Sequence, residues 1–248
     1  MTTVSIITPT YNSLEYINET IESIINQTYE NWELLITDDC SADGTWELLK
    51  EYAEKDSRIK IFQLEFNSGP GVARNNSIQN ASGRFISFCD SDDVWKPNKL
   101  EDQIKFLSDN DLPFTYSSYQ KMDENGNLGG IINVPEKLSF NDLLKTCPIG
   151  CLTAIYDTEK IGKVYMPIIR KRQDYGLWLK IFKEIRETRG MQEVLAYYRV
   201  RTNSVSSNKL RAAKYHFKVL RTVAKVPFIK ACYYFVLYAF SGLFKYLK

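Results

Sequence analysis

The segment VSIITPTYNSLEYINETIESIINQTYENWELLIT, residues 4–37, decides the fold expected for this chain. Its β-branched start (4–8) and its apolar end (32–37) each predict a strand. The residues between them, 13–27, carry apolar side chains at a helical period, with Ser13 as the expected N-cap. A strand, a helix and a strand in this order indicate a parallel βαβ unit.

The same alternation continues through the first hundred residues. Further strands are predicted at 59–64 and 84–89, and further helices at 44–55, 70–81 and 96–109. This spacing predicts an α/β fold, with a mostly parallel, doubly wound sheet that carries helices on both faces. After it we expect strands at 114–122 and 193–200, helices near 139–146 and at 174–185, and a helical C-terminal extension.

Four polar loops follow the predicted strands of the first half. They read PTYN (9–12), DDCSADG (38–44), EFNSGPG (65–71) and DSDD (90–93). In sheets of this type the ligand lies beyond the carboxyl ends of the strands, so these loops are expected to form a single site.

The DSDD loop places three carboxylates in four positions, where they repel one another. A lone D-x-D is most often a solvated turn that caps the next helix. Here the position at a strand end favours a site for Mg²⁺ or Mn²⁺, held by one or two carboxylates together with substrate phosphates. The cation would offset the repulsion.

Other nucleotide-binding patterns are missing from the sequence. It has no G-x-x-x-x-G-K-[ST], and GPGVAR (69–74) is half of a dinucleotide fingerprint in the wrong place. Nucleotidyl transfer would need a basic triphosphate loop, and residues 9–16 contain no lysine or arginine. A metal and diphosphate site without a P-loop suggests transfer from a nucleotide-activated group.

Five motifs, in their order and spacing, resemble the family 2 glycosyltransferases of GT-A fold. They are VSIITPTYN (4–12), LLITDDCSADGT (34–45), NSGPGVARN (67–75), GRFISFCDSDD (83–93) and QDYGLWLKI (173–181). The resemblance implies a catalytic domain over residues 1–207, with a nucleotide-binding half (1–110) and an acceptor-binding half (111–207). It also implies an enzyme that transfers a sugar from a UDP-sugar with inversion.

The resemblance assigns donor-binding roles to several residues. Pro9 and Tyr11 match the first nucleotide loop, and Asp39 matches the aspartate that reads the uracil edge. Arg74 matches an arginine that lies near the nucleotide. Asp90 would hold the ribose or a metal-bound water.

The resemblance also assigns the catalytic and metal-binding residues. Asp92 matches the direct metal ligand, and Asp93 is expected either to support it or to cap the next helix. Asp174 matches the general base, although an aspartate that opens a helix is usually an N-cap. Trp178, one helical turn later, is expected either to floor the acceptor site or to lie in the core.

One position departs from the family pattern. The family often has Y-R-x-H near the end of its domain, and this chain reads YYRVR at 197–201. Arg201 therefore stands where that histidine would be. Arginine does not ligate metals but binds phosphate well, so we expect Arg201 to contact the donor diphosphate and the metal to have one protein ligand.

Charge is distributed unevenly along the 248 residues. Nine lysines and arginines lie between Lys209 and Lys248 with no acidic residue among them, and the rest of the chain is acidic. On a helix, Lys214, Lys218, Arg221 and Lys225 would form one cationic stripe. An apolar, aromatic-rich segment (228–244) follows.

The basic segment over residues 208–248 is therefore predicted to be an amphipathic helical tail that lies on an anionic membrane surface. Alternatives are a helix that packs against the domain or another subunit, a true membrane span, and a nucleic-acid patch, which is the least favoured. No nucleic-acid partner is expected. The sole histidine, His216, is expected to be a surface or packing residue.

These features together predict a cytoplasmic enzyme, peripheral on the inner face of the cell membrane. The N-terminus shows no secretory signal, and five scattered cysteines indicate reduced thiols. From similar bacterial enzymes, the expected acceptor is a saccharide, in particular one linked to a polyprenyl diphosphate. The rival interpretation is a glycosyltransferase-like subunit that binds and assembles without turnover.

Overall fold

The structure is a computed structural model, and it describes residues 2–201 and 209–244. The strands are β1 (Val4–Thr10), β2 (Trp32–Asp38), β3 (Ile59–Gln63), β4 (Phe85–Phe88), β5 (Val94–Trp95), β6 (Phe114–Thr115), β7 (Ser117–Met122), β8 (Leu128–Ile132), β9 (Lys137–Ser139), β10 (Ile155–Asp157), β11 (Glu187–Arg189) and β12 (Met191–Arg199). The helices are α1 (Ile17–Ile25), α2 (Thr45–Lys55), α3 (Pro70–Asn80), α4 (Lys99–Asp109), α5 (Phe140–Lys145), α6 (Thr158–Ile161), α7 (Gln173–Ile185), α8 (Lys209–Thr222) and α9 (Phe228–Phe244).

The central element is a six-stranded sheet in the order β3-β2-β1-β4-β10-β6. Strands β1 to β4 are mutually parallel, and β10 runs antiparallel between β4 and β6. Every residue of β1 and β2 is buried, as expected for central parallel strands that helices cover on both faces. The predicted α/β, doubly wound architecture is confirmed.

A second sheet joins residues that are distant in sequence, in the order β5-β12-β7-β8. The predicted single strand at 114–122 was wrong, because the chain leaves the main sheet at Tyr116 and enters the second sheet at Ser117. Strands β6 and β10 complete the main sheet from beyond residue 110. The two predicted halves of the domain therefore share one sheet.

The start of α1 differs from the prediction. The helix begins at Ile17 with Tyr16 as its N-cap, not at Ser13. Ser13 instead shares a hydrogen bond of 2.9 Å with the hydroxyl of Ser91, and its backbone N–H donates to Thr45. These bonds tie the loop after β1 to the start of α2 and to the loop after β4.

The C-terminal helices α8 and α9 form a hairpin that packs against α5 and the core cluster of α7. Val219, Leu220 and Ala231 are fully buried in the same core cluster as α7. The packing-helix alternative therefore describes the inner face of the hairpin, and His216 is a buried packing residue. The predicted boundary at 207–208 and residues 245–248 lie outside the described residues.

The outer face of the hairpin is different in character. Ile229, Tyr233 and Val236 follow one stripe of α9 and are 83%, 60% and 49% exposed. Lys214, Lys218, Arg221 and Lys225 are exposed as well. Of the helices in the described ranges, none combines the length and the apolar character needed to cross a bilayer.

Candidate active site

A cleft of about 660 Å³ lies at the carboxyl edge of the parallel strands, a volume that suits a small-molecule ligand. Loops after β1, β2, β3 and β4 reach it, together with the start of α7 and the end of β12. Among its lining residues are Pro9, Tyr11, Asp39, Arg74, Asp90, Asp92, Asp174 and Arg201. The structure thus brings together eight of the nine predicted site residues.

Trp178 is the predicted site residue that lies elsewhere. Its side chain is fully buried, with its ring 5.6 Å from Phe88 and 5.3 Å from Phe114 between centroids. An indole enclosed in the core cannot contact an acceptor. The acceptor-binding prediction for Trp178 is therefore wrong, and its core alternative holds.

Asp39 joins two of the loops that border the cleft. One of its carboxylate oxygens accepts from the backbone N–H of Ser68 at 2.7 Å and the other from Gly69 at 2.8 Å. These bonds join the loop after β2 to the loop after β3. Since each carboxylate oxygen has two acceptor positions, Asp39 retains capacity for a further N–H donor.

The buried Arg74 forms an ion pair with the partly exposed Asp90, and both residues line the cleft. The guanidinium Nη2 lies 2.5 Å from Oδ1 of Asp90, and Nη1 lies 3.4 Å from the side-chain oxygen of Gln173. Gln173 was not predicted, although it immediately precedes the predicted base. It connects α3 to the first turn of α7, so the two halves of the cleft are held together.

Asp93 faces away from the cleft and is fully buried. Its Oδ1 accepts from the backbone N–H of Arg199 at 3.0 Å. Burial, and then repulsion from Asp92 and Asp90, raises the pKa of Asp93 well above its usual range. The alternative that Asp93 caps the next helix is wrong, because β5 intervenes and α4 starts after Asn98.

Asp92 is the aspartate of this cluster that remains open to a cation. Burial, and then the charge of Asp90, raise the pKa of Asp92, and a bound cation would relieve both effects. Among the residues described, no three acidic, histidine or cysteine side chains surround a point where a metal could sit. The residues therefore fit Mg²⁺ or Mn²⁺ held through Asp92 and completed by phosphate oxygens, not an all-protein cage.

Arg199 holds the DSDD loop in place, a role that sequence reasoning missed. Its Nε donates to the backbone carbonyl of Asp92 at 2.9 Å, and its Nη1 reaches the carbonyls of Asp123 and Glu124. Its Nη2 is paired with Glu19. The YYRVR stretch contains both Arg199 and Arg201, but the family pattern singles out the position of Arg201 alone.

Arg201 occupies the cleft beside Asp92. Its Nη1 lies 3.5 Å from Oδ2 of Asp92, and its guanidinium sits 4.9 Å from the ring centroid of Tyr16. Both partners of this ion pair are partly exposed, so the pair can open when a ligand arrives.

Asp174 lies in the first turn of α7, after Arg172, which is the N-cap. The expectation that Asp174 itself is an N-cap is therefore wrong. Within the described part of the chain, no side chain or backbone group donates a hydrogen bond to its carboxylate. A carboxylate that faces the cleft without a donor is available to accept a proton.

Residues 5–159 match the model of the family described as "Glycosyl transferase family 2". Over 243 residues the chain is 44% identical to the "Putative teichuronic acid biosynthesis glycosyltransferase TuaG" of Bacillus subtilis (strain 168), which covers 98% of this chain and 96% of that protein. It is 40% identical over 243 residues to the Escherichia coli "UDP-Glc:alpha-D-GlcNAc-diphosphoundecaprenol beta-1,3-glucosyltransferase WfgD", with 98% and 94% covered.

Among solved structures, S. aureus TarS 1–349 in complex with UDP-GlcNAc is similar, with a TM-score of 0.72 and 23% sequence identity. The alignment covers 96% of this chain and 72% of that chain. This likeness concerns the fold, and the two sequence relatives bear on the activity.

Proposed function

This chain belongs to glycosyl transferase family 2, has the GT-A fold and is a glycosyltransferase, and we propose that it transfers a sugar from a UDP-sugar to a hydroxyl of a lipid-linked saccharide. The observation that carries this proposal is the single cleft that gathers Asp39, Asp92 and Asp174. The proposed setting is bacterial surface polysaccharide synthesis, which the names of the two relatives support.

The donor is proposed to bind along the loops after β1 and β2. Pro9 and the half-exposed Tyr11 would contact the nucleotide, and Asp39 would accept from a uracil N–H. Arg74 and its partner Asp90 would lie near the ribose. Arg201 would leave Asp92 and contact the diphosphate, for which its planar guanidinium is suited.

Asp174 is proposed to be the general base. It takes the proton of the acceptor hydroxyl as that oxygen attacks the anomeric carbon. The bond from this carbon to the phosphate oxygen breaks, and UDP leaves with the electron pair. A single displacement from the opposite face inverts the anomeric centre.

Asp92 is proposed to hold the divalent cation, which, when bound, offsets the negative charge on the departing diphosphate. Hydrogen bonds within the protein fix the loop that carries the carboxylate of Asp92. Arg199 holds the backbone carbonyl of Asp92 from behind, and Asp93 anchors the loop to β12.

The acceptor is proposed to be a saccharide on a polyprenyl diphosphate, reached from the cytoplasmic face of the membrane. The E. coli relative is named for such an acceptor. The outer stripe of Ile229, Tyr233 and Val236 would enter the headgroup region, while exposed lysines on α8 attract anionic lipids.

The test of transfer uses the purified chain, a panel of UDP-sugars and a GlcNAc-diphosphate lipid, with UDP release and product measured with and without Mn²⁺. We expect metal-dependent transfer to one donor, lost in Asp92→Ala, and a product of inverted configuration by NMR. Binding of UDP without turnover in the presence of the acceptor would contradict the proposal and favour an assembly subunit.

The membrane proposal has a separate test. The full chain should sediment with vesicles that contain anionic lipid, and less with neutral vesicles. Tyr233→Ser combined with Ile229→Ser should weaken this binding without changing the melting temperature, because both side chains face outward. Equal binding of the variant and the parent to anionic vesicles would refute the membrane proposal. A dimer that forms through the apolar stripes and does not bind vesicles would also refute it.

A further inference from the structure

A basic triplet, Arg170, Lys171 and Arg172, lines the cleft and is separated from the proposed base Asp174 by Gln173 alone. Its place is on the acceptor side, because Asp174 must meet the acceptor hydroxyl. The other cations of the cleft are already matched with carboxylates, since Arg74 pairs with Asp90 and Arg201 with Asp92. Across residues 2–201 and 209–244, neither Arg170 nor Arg172 forms a salt bridge.

This excess of positive charge suits the binding of a second diphosphate. A transfer from a UDP-sugar to a diphosphate-linked saccharide brings two diphosphates to one protein surface. The donor diphosphate meets the surroundings of Asp92 and Arg201. The acceptor diphosphate needs cations of its own, and arginine binds phosphate oxygens through paired N–H donors.

Arg172 is held in place before any ligand binds. Its backbone is in the left-handed region at φ 60°, which is uncommon for residues other than glycine. Its Nη2 donates to the hydroxyl of Tyr238 at 2.6 Å, and its guanidinium lies 5.2 Å from the centre of that ring. The partner is a phenol hydroxyl and not a carboxylate, so this bond leaves the positive charge of Arg172 available to an anion.

The support for Tyr238 comes from a three-ring stack. His216 lies between Tyr175 and Tyr238, with centroids 4.9 Å and 4.1 Å away and planes within 7° and 12° of its own. Burial, and then the charge of Arg172, lower the pKa of His216 to about 3, so the histidine is uncharged at neutral pH. The C-terminal hairpin therefore fixes the position of Arg172 without competing for the anion.

Two exposed apolar side chains of the same segment suit a lipid-linked anion. Ile168 is 83% exposed and Tyr165 is 41% exposed, so apolar surface lies a few residues from Arg170. A polyprenyl diphosphate presents its two phosphates directly beside its first isoprene units. Cations and exposed apolar side chains on one loop match that arrangement.

We propose that Arg170 and Arg172 form a subsite for the diphosphate of the lipid-linked acceptor, and that Tyr238 is a positioning residue for Arg172. This inference rests on the proposed function, since it names the part of the acceptor that the same cleft reads. It assigns to the C-terminal hairpin a role in acceptor binding that is independent of membrane attachment.

The experiment compares two acceptors that carry the same sugar. One is GlcNAc-α-diphosphate with a short alkyl chain, and the other is the alkyl α-GlcNAc glycoside without phosphate. The parent protein should prefer the first. Arg170→Gln and Arg172→Gln should each lower kcat/KM for the diphosphate acceptor by about 10- to 100-fold, as expected for a lost charge-assisted hydrogen bond. In these variants the ratio of kcat/KM for the diphosphate acceptor to kcat/KM for the glycoside should then approach one.

Tyr238→Phe keeps the ring and removes the hydroxyl. It should raise KM for the diphosphate acceptor by about 3- to 10-fold, the loss of one neutral hydrogen bond, with kcat unchanged. Lys163→Gln removes an exposed cation outside the cleft and is the matched control, so both acceptors should behave as with the parent. Because Arg172 has an unusual backbone, Arg170→Gln is the safer variant for folding.

Different results of this experiment would refute the proposed subsite and the proposed function. If the parent prefers the diphosphate acceptor and both arginine variants keep that preference, the subsite is refuted and the proposed function stands. Equal losses with both acceptors would also refute it, because they indicate damage to the base. If the parent shows no preference, the proposed acceptor class fails and the subsite fails with it.

Discussion

Arg201 and Asp92 form an ion pair across the cleft, with Nη1 3.5 Å from Oδ2. The same carboxylate is the proposed ligand of the divalent cation. The guanidinium therefore occupies part of the space and charge that the cation would take. Binding of metal and donor is expected to move Arg201 from the carboxylate to the diphosphate.

The first prediction concerns this competition. Arg201→Gln should tighten Mn²⁺ binding to the free protein by about 2- to 5-fold, a modest gain because the ion pair is partly exposed. It should also raise KM for the UDP-sugar by about 10-fold, because a phosphate contact is lost. Calorimetric titration with Mn²⁺ gives the dissociation constant of the metal, and steady-state kinetics give KM for the UDP-sugar. Weaker Mn²⁺ binding in Arg201→Gln would contradict the competition.

The second prediction concerns the general base. Asp174→Asn keeps the shape of the side chain and removes its ability to take a proton, so kcat for transfer should fall by about 10²- to 10⁴-fold. The dissociation constant for the donor should stay close to that of the parent. Asp109→Asn, on the exposed surface of α4, is the matched control. A fall of less than 10-fold would show that another group accepts the proton.

The third prediction concerns Arg199, which is 3% exposed and binds three backbone carbonyls. Lysine cannot span these partners, so Arg199→Lys should lower the free energy of unfolding by about 2–4 kcal/mol. The transfer activity of the variant should also depend less on added metal, because the backbone carbonyl of Asp92 loses its bond to Arg199. Denaturant unfolding measures the first effect.

Arg186→Lys serves as the control for that experiment. Arg186 is exposed, and its change should alter stability by less than about 0.5 kcal/mol. Similar losses for the two variants would show that Arg199 has no special part in the loop.

The fourth prediction concerns Lys99, a fully buried lysine. Its Nζ donates to Ser87 at 3.0 Å and to Gln103 at 2.8 Å, and it lies 3.7 Å from the centre of the Trp95 ring. Burial lowers the pKa of Lys99 to about 7. Between pH 7 and the unfolded value near 10.5 the unfolded chain binds more protons, so stability should rise with pH in that window.

Comparison with Lys99→Met isolates this effect from other titrating groups. The stability of the parent relative to the variant should increase by up to about 1.4 kcal/mol per pH unit between about pH 7.5 and 9.5. Urea unfolding at several pH values measures it. A difference that does not change with pH would show that Lys99 keeps its charge in the folded protein.

The parts of this molecule that could be predicted from sequence depend on local patterns. Strands β1 and β2 are buried along their whole length, so their apolar runs were unambiguous. Parallel topology then fixes where the strands end, and the loops that follow must meet at one edge. For this reason Asp39 and Asp92 could be placed in one site from the topology, whereas Asp174 was assigned to that site by the family resemblance.

The parts that could not be predicted depend on contacts between distant segments. The run 114–122 has a strand pattern throughout, and nothing in it shows that it changes sheets at Tyr116. Arg199 meets partners from two separate loops and from helix α1, so its role becomes visible only in the folded chain. The apolar residues of α9 looked like one membrane-facing surface, yet they divide between two opposite faces.

The bond from the Arg199 backbone to Asp93 spans 106 residues. A nascent chain that has been translated only as far as β5 already contains the strands β1 to β4, but it lacks the strand that closes the DSDD loop. Competence to hold a sugar nucleotide is therefore expected late in synthesis, when β12 leaves the ribosome. Incomplete chains would not sequester the donor from finished enzyme.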